Sequence, residues 1–155
     1  MRWTIVAASL ALSACTLPKS ASSPYPSPFG QEDTGPNAET VFASVEEHAK
    51  CAGFHRAFAR LASGTQSKAE FYTAAAKDAA TAAAEIATAK ISRELAVDMV
   101  DQLARTHAAR WAYAIEVDAG SDAVRAQAEK CFEMASEQDE IIRNVVKAKY
   151  GFRHR

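Results

Sequence analysis

All five prolines of this 155-residue chain lie before residue 37: Pro18, Pro24, Pro26, Pro28 and Pro36. Proline inside a helix removes a backbone hydrogen bond and clashes with the preceding turn. Residues 38–150 are therefore free of the strongest helix breaker, and they hold only three glycines, Gly53, Gly64 and Gly120. Alanine, the best helix former, occurs 35 times in the chain. This pattern predicts an all-α domain over 38–150, a length of about 115 residues that suits one domain.

The punctuation inside that stretch divides it. Asn37, after Pro36, is placed to cap a first helix. Gly64 stands where a left-handed C-cap would end it. Ser67 with Glu70 has the spacing of a capping box for a second helix. Gly120 closes a later helix, Ser121 can cap the last one, and Gly151 follows it. Between Thr65 and Ala119 no strong breaker occurs. That span reads either as one helix of over 50 residues or as two helices turning near Thr88–Ser92.

The N-terminus has a different character. Arg2 is a short basic region, and Trp3–Leu12 is an apolar run interrupted only by Thr4 and Ser9. The run is far shorter than the roughly 20 residues of a membrane-spanning helix and has the form of an export signal. It ends in Leu12-Ser13-Ala14-Cys15, which resembles the lipobox of bacterial lipoproteins. The resemblance covers residues 1–15 only. It implies cleavage after a 1–14 signal peptide, with Cys15 as the mature N-terminus carrying covalent lipid. Several acyl chains hold a protein stably on a membrane, since each buried methylene contributes about 0.8 kcal/mol. Thr16 is not the aspartate that retains Gram-negative lipoproteins at the inner membrane, so the resemblance implies an outer-membrane lipoprotein facing the periplasm.

Residues 15–37 then read as a lipidated N-terminus and a disordered tether. Ser20, Ser22, Ser23 and Ser27 sit among the prolines, and such a segment buries too little apolar surface to fold. Extended, it reaches on the order of 70 Å.

Export leaves Cys51 and Cys131 as an even pair in an oxidising compartment, where pairing is expected. Cys51 precedes Gly64 by about as many residues as Cys131 follows Gly120. Antiparallel first and last helices would bring the two level, as in an up-down-up-down four-helix bundle. One straight helix over 65–119 would hold them tens of ångströms apart at 1.5 Å per residue, beyond the Cα separation of about 7 Å that a disulfide tolerates. The pair thus favours a break near residue 90. In the last helix Val124, Ala128, Cys131, Ala135, Gln138, Ile142 and Val145 alternate in steps of four and three, a coiled-coil type of seam.

Chemistry is sparse. On the first helix Val41, Val45, Ala52, Phe58 and Ala59 define an apolar arc that includes His48, Cys51 and His55. With His107, near Arg110 on a later helix, these are the only candidates for a metal or haem site. The expectation is structural roles for all three histidines, with no metal and no cofactor beyond the lipid on Cys15. Phe71, Tyr72, Ala75, Ala79, Ala82 and Ile86 form a stripe expected to pack in the core. Trp111, Tyr113 and Ile115 cannot all face one side, so one of them reaches the surface. No nucleophile elbow, phosphate loop or zinc-protease motif occurs. Residues 151–155 form a basic tail with Arg153 and Arg155, suited to a helix C-terminus. Removal of Arg2 leaves 17 basic against 19 acidic residues, which disfavours nucleic acid as a partner. The expected function is a non-enzymatic, lipid-anchored envelope protein acting through protein contacts. A metal- or haem-binding bundle is the alternative, and an envelope hydrolase or its inhibitor a third.

Overall fold

In the computed structural model the described residues are 37–62 and 64–151. They form four helices and, among the described residues, no strand: α1 (Ala38–Leu61), α2 (Gln66–Ala87), α3 (Arg93–Asp118) and α4 (Asp122–Tyr150). None is long and apolar enough to cross a membrane.

Local chemistry sets most boundaries. Asn37 accepts the Thr40 backbone N–H at 2.7 Å and so starts α1. Ser92 and Ser121 each accept the N–H three residues on, opening α3 and α4. The break between α2 and α3 is real and occupies residues 88–92. Thr88 donates its hydroxyl to the Glu85 carbonyl there, and Arg93 reaches back with both guanidinium nitrogens to the Glu85 carboxylate at 2.6 and 2.8 Å. That fork fixes the turn angle more firmly than a single contact would.

Two local expectations fail. Helix α1 ends at Leu61, and no described glycine has a positive φ, so Gly64 is no left-handed cap. Helix α2 begins at Gln66, two residues earlier than a Ser67 capping box allows. Its cap residue, Thr65, makes no side-chain cap bond, and Glu70 accepts instead from the Gln66 side chain at 2.8 Å. The two added helical residues outweigh a cap bond that is worth only about 1 kcal/mol.

The core is built around α1. At one end Val41 and Val45 pack with Ala83, Ala87, Ala96 and Val100. Farther along, Phe54 and Ala57 meet Ala79 of α2, Ala104, Ala112 and Ile115 of α3, and Val124 of α4. Between them His48, Ala49, Cys51, Ala52, Gly53 and Phe54 are all buried, and within that stretch only Lys50 keeps a partly exposed side chain. Small residues permit this. A Cβ added to Gly53 would lie 2.7 Å from the Ala104 carbonyl oxygen and 2.8 Å from the Ala108 nitrogen, closer than real carbon contacts come. Only glycine allows α1 and α3 to cross here.

Helix α4 is attached differently. Its buried residues are Val124, Cys131 and Gln138, each seven apart. Gln127 and Met134 are half-buried beside them, whereas Ala128 and Ala135 are exposed. The seam thus steps by three and then four, and the expected places of Ala128 and Ala135 in it are corrected. Methyl side chains hold a helix face too weakly to choose between the two registers, and the longer Gln127 and Met134 win.

Candidate functional site

Cys51 and Cys131 stand at disulfide distance, with Cα atoms 5.4 Å apart. Gln127 donates its amide N–H to Cys131 Sγ at 3.2 Å, and Met134 Sδ lies 4.0 Å from Cys51 Sγ. One turn away His48 is fully buried. Its Nδ1 lies 3.3 Å from the Gln138 amide nitrogen. As that amide is oriented its nitrogen can only donate, so Nδ1 accepts and Nε2 carries the proton. Nε2 has no hydrogen-bond partner and is 3.9 Å from the Glu137 carboxylate. Burial pushes the His48 pKa below its ordinary value, although Glu137 and Glu47 pull the other way. Glu47 itself pairs with Lys130 of α4 and accepts from Lys50 at 2.8 Å. These two cations, Lys130 foremost, hold its carboxyl below the usual range.

The other two candidate histidines sit elsewhere. His55 lies against α2, its ring stacked on Tyr72 at 6.0 Å. Burial lowers its pKa, and its Nδ1 is buried without a partner. His107 packs over Gly53. Burial lowers its pKa as well, with help from the Lys50 and Arg110 charges. The three imidazoles face α4, α2 and α1 respectively. Among the described residues no three His, Cys, Asp or Glu side chains gather as a metal set. The lipobox residues Leu12, Ser13, Ala14 and Cys15, and the tail beyond Gly151, lie outside the described residues.

What the sequence did not announce is an aromatic ladder. Trp111 of α3 meets Phe54 edge-on at 5.3 Å. Phe54 meets Phe58 at 4.9 Å, Phe58 stacks on Tyr72 at 5.1 Å, and Tyr72 meets Phe71 at 5.3 Å. The ladder therefore passes through the buried Phe54 and ends at a ring that is 65 % exposed. Phe71 was expected in the core, but α2 turns it outward while Ala79 and Ala82 take the buried face. Tyr113 is the outward member of its trio, and Ile115 is buried.

The outer rungs open into a groove of about 330 Å³ between α1, α2 and α4. Phe58, Phe71 and Tyr72 line one side, and Ala128, Phe132 and Ala135 the other. Phe132 is 83 % exposed, the most exposed large apolar residue described. Cys131 reaches the same groove, so the cysteine pair sits behind its wall. A larger groove of about 570 Å³ lies between α1, α2 and α3, but two of its cations are already engaged, Arg56 with Asp101 at 2.9 Å and Arg93 with Glu85.

Comparison of the chain with protein-family models, with curated proteins and with solved structures returns no match. The fold and the groove themselves define what can be argued: an all-helical, four-helix protein with a surface-opening aromatic cleft.

Proposed function

We propose that this chain is a lipid-anchored envelope protein that works through protein contacts, and that the α1/α2/α4 groove is its contact face. The observation that carries the reading is the pair Phe71 and Phe132, two exposed rings flanking one groove. Exposed large apolar side chains clustered at a concave site mark interaction surfaces, and aromatics are enriched at the centre of such interfaces. The cleft has no nucleophile paired with a base, which favours binding over catalysis.

The rest of the reading follows from the sequence. Lipid on Cys15 anchors the chain to the outer membrane on its periplasmic side. The tether of residues 16–37 lets an up-down-up-down bundle stand off the bilayer. Cys51 and Cys131 are oxidised to a disulfide in that compartment. Nucleic acid is not a partner. The assembly served is structural or regulatory, with this chain as an accessory component.

A photo-crosslinking residue at Phe132 tests the contact face, with the same residue at Val117 of α3, 67 % exposed, as control. A discrete adduct in intact envelopes from position 132 and none from 117 is expected. Equal labelling at both, or at neither, removes the contact-face reading. Palmitate labelling that survives Cys15→Ser removes the anchor.

A further inference from the structure

We propose that the α1/α2/α4 groove binds a polypeptide segment that presents a lysine or arginine side chain between apolar neighbours. This rests on the groove being a contact face and names the chemistry of what it contacts.

In this groove negative charge is superimposed on aromatic rings. Asp78 of α2 and Asp139 of α4 lie on opposite walls of the groove, and no lysine or arginine lines it. Three other grooves on the described surface each carry at least one such cation, among them Lys77, Arg110 and Lys149. Both carboxylates are exposed, and among the described residues neither forms an ion pair. The two unpaired carboxylates therefore share one groove with Phe58, Phe71, Tyr72 and Phe132. Aromatic rings and carboxylates lining the same groove are a combination that attracts ammonium and guanidinium groups. His55 adds a buried, unpartnered Nδ1 among the lining residues.

Size and shape then choose a polypeptide. The apolar walls contributed by Ala75, Ala128 and Ala135 have no use for a small hydrated cation. They suit aliphatic side chains flanking the charged one, as when a segment lays an apolar face into a groove. Arginine fits both demands, since its weakly hydrated guanidinium stacks on rings and forks to carboxylates.

The test uses the full chain and fluorescence anisotropy with a labelled nine-residue peptide, a central arginine flanked by leucines. A second peptide carries citrulline, of the same shape but neutral. The arginine peptide is expected to bind at least about tenfold tighter than the citrulline one. In the Asp78→Asn/Asp139→Asn variant that ratio falls below about twofold. Phe132→Ser weakens both peptides. Equal binding of the two peptides, an undiminished ratio in the double variant, or no binding to either overturns the proposal. Displacement of the arginine peptide by spermidine at equal concentration also overturns it, in favour of a free-polyamine site. If the double variant does not fold, the citrulline comparison on the unmodified chain decides. A crosslink at Phe132 without an arginine preference leaves the contact face standing and removes only its cationic partner. An arginine preference without a crosslink does the reverse.

Discussion

Gly53 of α1 passes beneath His107 of α3 with no room for one additional methyl group: the added carbon would stand 2.7 Å from the Ala104 carbonyl oxygen. The obstacle is backbone, which cannot swing aside. Gly53→Ala is expected to destabilise the fold by about 1–3 kcal/mol through overpacking. That is the opposite sign to the gain of about 1 kcal/mol that glycine-to-alanine gives in an open helix. Urea midpoints of the two proteins measure it, and a stabilised variant would refute the crossing.

Oxidation state is expected to govern α4. On chain-entropy grounds, closing the 80-residue separation between Cys51 and Cys131 contributes up to about 4.5 kcal/mol. Reduction, or Cys51→Ser/Cys131→Ser, should lower the melting temperature. Because α4 buries only Val124, Cys131 and Gln138 among the described residues, its amides should lose protection from hydrogen exchange before those of α1. Uniform loss along the chain would show that α4 holds its place without the crosslink.

Acidification should weaken the fold in a defined window. His48, His55 and His107 all have folded pKa values below the ordinary 6.5, chiefly through burial. Between the folded and unfolded values the unfolded chain binds more protons, so stability rises with pH there. The contribution is complete above about pH 6.5 and is lost as pH falls through that window. Glu47 and Asp101, with lowered values, begin to act only nearer pH 4.5 and 3.8. Unfolding midpoints at pH 7.5 and 5.5 therefore isolate the histidines. A decline that is shallower in His48→Gln is expected, and no decline between those pH values would contradict neutral buried imidazoles.

Two phenylalanines should behave as opposites. Phe54 is 2 % exposed and sits on the aromatic ladder, so Phe54→Ala should cost about 3–5 kcal/mol. Phe132, at 83 % exposure, should tolerate Phe132→Ser within about 0.5 kcal/mol. Thermal melts of the two variants check this. A large loss at Phe132 would make it a packing residue and not a contact residue.

The helix content and its main boundaries were legible because each rests on one residue's own chemistry. Asn37 and Ser121 carry short acceptors beside a helix start, and the proline-free stretch has few other choices. The break at 88–92 was legible only indirectly. Thr88 and Ser92 are weak signals, and the distance between two cysteines had to decide. Phe54 and Gly53 lie outside the single apolar stripe that residue spacing predicts for α1. A helix with neighbours on several sides buries most of a turn, and the absence of Lys, Arg, Asp and Glu from Cys51 to His55 was the available signal. The groove was illegible for a related reason. Phe71 falls in the stripe that the sequence assigns to the core, Phe132 carries no signal in the α4 seam, and only the alanine-rich packing of α2 shows that the core needs neither of them.

The sevenfold spacing of Val124, Cys131 and Gln138 carries a hazard of its own. A helix whose inward residues repeat at equal intervals fits its neighbours nearly as well after sliding by one repeat. Three marks tell the correct setting from the false ones: Cys131 must find Cys51, Gln138 the ring nitrogen of His48, and Lys130 the Glu47 carboxylate. A bond between the sulfurs can be erased by a reductant. The hydrogen bond and the ion pair need no oxidant. Alignment of the last helix is therefore specified by more than its cysteine, so that a nascent chain whose thiols are still free already carries the information for where that helix belongs.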